Sequence, residues 1–178
     1  MPGKDNKIGR GNKVIFKDTK FDLNELIESF KFWSKQQGYH IFKNEDLLEI
    51  QTPKGIKMDA KIHFAKNIDN YFQSKFDVEI KARRCKKITA KNNEGKLKTL
   101  YQGNIVVTID SSLLTDRNDT FTNKGKFVDY IHHFIYEFIY EPRFNKYKVN
   151  TGINTGGSMS IVKNHLKKYE DFIPVSFS

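Results

Sequence analysis

Ile56-Lys57-Met58-Asp59-Ala60-Lys61-Ile62-His63-Phe64, and then Phe76-Asp77-Val78-Glu79-Ile80-Lys81-Ala82, place an apolar side chain at every second position. Successive residues of an extended chain point to opposite faces, so this alternation predicts two strands with one buried and one wetted face. Asn67 to Asn70 supplies the turn between them. Working outward, Pro53-Lys54-Gly55 makes the preceding turn, and Tyr39 to Lys43 with Leu47 to Thr52 flank the polar Asn44-Glu45-Asp46 as a hairpin. Downstream, Asn92-Asn93-Glu94-Gly95 closes a further hairpin into a last long strand through Ile105, Val107 and Ile109. Sequential hairpins predict a meander.

Helices bracket these strands. Val14, Ile15 and Phe16 form a short strand, after which Asp22 and Glu25 stand at capping-box spacing with Phe21 and Leu26 as a hydrophobic staple. Leu23, Leu26, Ile27, Phe30 and Trp33 recur at helical spacing, and Gly38 supplies the left-handed stop. Asp110 to Gly125 reads as a loop leading to a second helix from about Lys126 to Glu141. Its core face is Phe127, Ile131, Phe134, Ile135 and Phe138, and Pro142 stops it. The fold class is therefore α+β, a meandering antiparallel sheet with an N-terminal helix and a long C-terminal helix packed on one face. Residues 1–12 read as a flexible basic arm and 13–149 as one domain. Residues 150–160, rich in Gly, Ser and Thr, read as a linker, and 161–178 as a short amphipathic helix and tail.

The 178 residues suffice for a sizeable core, and 15 Phe and 8 Tyr mean that much of the burial comes from rings. The single cysteine, Cys85, excludes an internal disulfide framework and suits a reducing, cytoplasmic setting. The N-terminal residues lack the apolar run of a signal peptide, and no apolar stretch is long enough to span a bilayer. A formal net charge of +10 favours anionic partners.

That charge is concentrated where the second alternating stretch ends. Lys81, Arg83, Arg84, Lys86 and Lys87, with Lys91, Lys96 and Lys98 on the following hairpin, form the candidate nucleic-acid-binding site, and Lys4, Lys7 and Arg10 of the arm add to it. Lysines and arginines bind phosphate backbones by releasing condensed counterions, and Tyr101 or His63 would add stacking to single strands. The alternative is a solvated strand end that uses lysine to discourage edge pairing. Cationic neighbours also favour the Cys85 thiolate. No catalytic motif accompanies it, nor any phosphate-cradling glycine loop or zinc-protease helix, so no enzyme activity is expected. Asp129, His132, His133 and Glu137 share one stretch of helix, but no partner motif completes a ligand set, and neither a metal nor a cofactor is expected.

The run Phe21-Asp22-Leu23-Asn24-Glu25-Leu26, Trp33, Gly38-Tyr39, Asn70-Tyr71, Glu94-Gly95-Lys96 and the Phe127 to Tyr140 helix together resemble a group of small uncharacterised archaeal proteins. The likeness spans roughly Val14 to Tyr147. It implies a fold, with a continuous C-terminal helix, and no activity. The glycines after Asn150 depart from that pattern. The element order is also similar to helix-grip folds, which enclose apolar ligands. That likeness implies a second function class, a lipid or other apolar-ligand binder with Phe30, Trp33, Phe134 and Phe138 lining a cavity.

Overall fold

The computed structural model describes residues 5–8, 11–115, 135 and 140–175. In chain order these form β1 (Asp5–Lys7), β2 (Asn12–Phe21), α1 (Leu23–Gln36), β3 (His40–Thr52), β4 (Gly55–Asn67), β5 (Gln73–Lys91), β6 (Leu97–Leu114), α2 (Glu141–Lys168) and β7 (Ile173–Pro174). The seven strands make one antiparallel sheet in which β3-β4-β5-β6 meander. Both β1 and β2 lie along the far side of β6, and β7 lies on β5. The chain is thus α+β, with α1 and α2 on one face of the sheet. Among the described residues, no helix is long and apolar enough to cross a membrane.

The alternation that predicts β4 and β5 sets the core. Ile56, Met58, Ala60, Ile62 and Phe64 of β4 and Phe76, Val78, Ile80 and Ala82 of β5 are buried against Leu23, Leu26 and Phe30 of α1 and Val162 and Leu166 of α2. At the start of α1, the Glu25 amide donates to Asp22 Oδ1 at 3.1 Å, and Gly38 takes a φ of 76° beyond the last turn. The opposite face of the sheet carries a cross-strand ladder of opposite charge, with Asp59 against Lys81, Lys61 against Glu79 and His63 against Asp77.

Four expectations are corrected. His40 to Thr52 is one strand, not a hairpin: β4 templates pairing from Ala65 to Gly55, and the polar residues are absorbed with bulges near Phe42 and near Leu47. Asp110 to Leu114 belongs to β6 because β5 and β1 pair with it on either side. Within the supposed arm, β1 joins Leu114 to Ser112, and Ile8 packs with Tyr71, Phe72 and Leu113. The fourth correction is the largest.

Residues 150–160 are not a linker but the middle of the 28-residue α2, which has Pro142 in its first turn. Thr151, Thr155 and Ser158 recur on one helical face, and all three are buried. Thr155 Oγ1 donates to the Thr151 carbonyl at 2.8 Å and lies 2.9 Å from Ser111 Oγ. Ser74 Oγ sits between Tyr39 OH at 2.8 Å and Thr151 Oγ1 at 3.3 Å. Small hydroxyl residues let the helix lie close to the sheet with its buried polar groups partnered. The helix expected over 126–141 lies outside the described residues, apart from isolated positions near its end.

One irregularity shapes the sheet. At Arg84, with φ of 56°, two β5 residues oppose one residue on each neighbouring strand. A Cβ on Gly103 would meet Cys85 Sγ at 2.7 Å and Cys85 Cα at 2.8 Å, and one on Gly55 would meet the Cys85 carbonyl oxygen at 2.9 Å. The bulge is therefore wedged between two glycines. Gly103→Ala is expected to lower stability by about 1–3 kcal/mol through overpacking. Gly152→Ala, at an open position inside α2, should raise it by about 0.5–1 kcal/mol. Urea denaturation of both variants checks the wedge and the helix together, since a flexible linker would show no such gain.

Candidate functional site

The eight cations proposed for the interface are sorted by the strands that carry them. Lys81 Nζ lies 2.7 Å from Glu79 Oε1 on the ladder face. Arg83 Nη1 lies 2.6 Å from Asp59 Oδ1, an ion pair in which that oxygen has no aligned hydrogen bond among the described residues, and Arg83 also donates to the carbonyls of Met58 and Ala82. Burial pushes the Asp59 carboxyl up, but Arg83 and then Lys57 outweigh it and hold the group below its usual range. Lys98 points into a network at the start of α1 and is not part of an open surface.

Arg84, Lys86, Lys87, Lys91 and Lys96 are exposed and carry no ion pair among the described residues. Arg84 lies at the bulge beside the end of β4, and the other four lie on the part of the β5–β6 hairpin that projects past it. Ile88, Ala90 and Leu100 line one side of this projection and are covered by Tyr169 and Phe172. Alternation puts Lys87 and Lys91 on the other side with Thr89, Thr99 and Tyr101. Tyr101 is half-buried. Its ring stacks on Phe21 at 6.1 Å, and its hydroxyl donates to Glu49 Oε2 at 3.0 Å. His63, the other candidate for stacking, lies on the ladder face with Nδ1 2.7 Å from Asp77 Oδ1.

The covered side is fixed by a clasp that sequence spacing does not reveal. Lys98 Nζ reaches Asp22 Oδ2 at 2.9 Å, Glu25 Oε2 at 2.6 Å and Tyr169 OH at 2.7 Å, while Lys168 and the Tyr169 hydroxyl also donate to Glu25. Burial alone would raise the Glu25 carboxyl, yet donors from Lys168, Lys98 and Tyr169 bring it down to about 2. Beside it, His165 is buried and accepts the Asp22 amide at Nε2, 3.4 Å away. Burial lowers its pKa, opposed by the charges of Glu25 and Asp22. Lys20 donates to the Glu170 carbonyl at 2.8 Å and to that of Phe172, holding the residues beyond α2. The capping-box spacing locates Asp22 and Glu25, but only the fold brings Lys98 and Tyr169 to them.

The expectation for Cys85 is reversed. Its side chain is 1% exposed beneath the bulge, and burial pushes the thiol up to about 11 against the weaker pull of Arg83. For the apolar-ligand alternative, Phe30 is fully buried in the main core and Trp33 packs on Tyr39 and Phe76, whereas Phe134 and Phe138 lie outside the described residues. So do Asp129, His132, His133 and Glu137, and among the described residues no three His, Cys, Asp or Glu side chains converge to hold a metal. No family model matches the chain, nor does any curated protein or solved structure.

These groups set the pH response. Glu25 has a depressed pKa in the folded state, so its contribution is present above 4.5 and is lost as pH falls towards about 2. His165 is held neutral, so its contribution is present above 6.5 and begins to fall below that value. Urea midpoints should decline in two stages on acidification, and Glu25→Gln should shrink the lower one while leaving the share that Asp59 contributes. Native Cys85 should resist thiol reagents at neutral pH and react only on unfolding, which a colorimetric thiol titration reads directly.

Proposed function

We propose that the chain is a non-enzymatic binding protein for single-stranded nucleic acid, free or within a ribonucleoprotein, engaged through the projecting β5–β6 hairpin. One observation carries this reading. Lys86, Lys87, Lys91 and Lys96 stand clear of ion pairs on one projection with Arg84 at its base, and the half-buried Tyr101 is on the same side as Lys87 and Lys91. Cations already held by carboxylates add little to a phosphate contact, whereas solvated ones exchange water and counterions for phosphate. An aromatic ring beside them offers a stacking surface to any base, which suits sequence-tolerant binding of single strands. A reducing cytoplasmic setting, in which Cys85 remains a thiol, accords with this role.

The salt dependence of binding to a fluorescent single-stranded oligonucleotide tests the reading. Each engaged phosphate contributes about 0.7 to the slope of log affinity against log salt, so Lys87→Ala combined with Lys91→Ala should flatten the slope by about 1.4. Lys81→Ala, which removes a cation already paired with Glu79, should leave it unchanged. Absence of binding at low ionic strength, or an affinity indifferent to salt, would rule the function out.

A further inference from the structure

Among the described residues, two that are not glycine take a positive φ, Asp18 at 48° and Arg84 at 56°. A side chain in this left-handed region crowds its own backbone, and glycine relieves the strain. Aspartate is tolerated there when its short polar side chain bonds locally, and Asp18 does so. Its Oδ1 accepts from Gln102 Nε2 at 3.0 Å, and its amide donates to Asn104 Oδ1 at 3.0 Å. Arg84 has no such local reason. The residue is exposed, and its guanidinium makes no hydrogen bond or ion pair among the described residues. Its neighbour Arg83, by contrast, is held by Asp59 and by the carbonyls of Met58 and Ala82. The backbone that carries Arg84 is nevertheless pinned from both sides. A Cβ on Gly55 would lie 3.2 Å from the Arg84 carbonyl carbon, and one on Gly103 would lie 3.0 Å from its carbonyl oxygen. A strained residue whose surroundings hold it in place, and whose side chain nothing in the fold uses, marks a functional position.

We propose that Arg84 is the anchoring residue of the nucleic-acid site, gripping one phosphodiester of the strand with two guanidinium donors at the base of the hairpin. The inference rests on the single-strand binding proposed above and names the residue that sets where the strand lies. A guanidinium offers a planar fork that matches two phosphate oxygens, whereas a lysine ammonium is a point charge on a flexible stem. Lys86, Lys87, Lys91 and Lys96 can neutralise phosphates without fixing their position. Arg84 differs from them in its support: the bulge turns its side chain out of the regular alternation of β5, and the two glycines keep that backbone from shifting. Glycine, which suits the backbone at this position, would leave the phosphate without its donors.

Fluorescence anisotropy with a labelled oligothymidylate, titrated over a range of salt, tests the assignment on three variants of the full chain. Arg84→Lys keeps the charge and loses the fork, so the salt slope should stay the same while affinity falls by about tenfold. Arg84→Gly also loses the charge. Its slope should flatten by about 0.7, its affinity should fall below that of Arg84→Lys, and its urea midpoint should equal or exceed that of the unaltered protein. Lys86→Ala removes the same charge and should flatten the slope equally, with a smaller loss of affinity than Arg84→Gly. Undiminished affinity in Arg84→Lys overturns the assignment and leaves the hairpin site standing. So does a lowered urea midpoint in Arg84→Gly, which would make the arginine a structural residue. Absence of binding by the unaltered protein at low salt removes both readings.

Discussion

The wedge of Arg84 and Cys85 between Gly55 and Gly103 is the constraint on which the rest of the molecule depends. Up to Ala82 the strands alternate in phase and bury one face beneath the helices. The extra residue shifts the phase of β5 against both neighbours at once, which bends the strand and increases its twist. β4 ends opposite Cys85, and the β5–β6 hairpin continues past it. Neither neighbour could carry a side chain at the crossing without displacing backbone, since the facing atoms of Cys85 and Arg84 are too close.

A projecting two-stranded hairpin is marginal in water unless something packs on it. Here the end of α2 and the residues beyond it supply that packing. Tyr169 and Phe172 cover Ile88, Ala90 and Leu100, β7 pairs with Ala90 and Lys91, and the Val175 amide donates to the Thr89 carbonyl at 2.8 Å. The Lys98–Glu25–Tyr169 clasp anchors this cover to the first turn of α1. The same carboxylates that cap the helix therefore fix which side of the hairpin is closed. A second aromatic cluster at the opposite end, with Tyr71 stacked on Tyr140 at 4.0 Å and Phe72 against Phe144 and Tyr147, secures the start of α2.

Net charge gave no indication of how the cations are distributed. Across the face of β4 and β5 away from the helices they are opposed by carboxylates, so that surface presents little field of its own. Lys98 is held within the clasp. Five open cations are grouped at the base and along the length of the hairpin, while others such as Lys13 and Lys17 on β2 and Arg143, Lys146 and Lys148 on α2 are exposed elsewhere.

The sequence by itself determined the local structure. Strict alternation fixed the faces of β4 and β5, and Asp22, Glu25 and Gly38 fixed the limits of α1, because these signals act between residues a few positions apart. It also located the basic residues, but not which of them are paired: Lys98 and Tyr169 are 71 positions apart, and no local pattern reports their meeting. Tertiary contact likewise decided that a glycine-rich stretch would be helix. Thr151, Thr155 and Ser158 have low intrinsic preference for that state, and burying their hydroxyls against Ser74 and Ser111 favours it only once the sheet exists. The same holds for β3, where β4 supplied the template that overrode a polar turn. Short-range periodicity is written along the chain, whereas pairing between distant residues depends on surfaces that form only when the chain has folded.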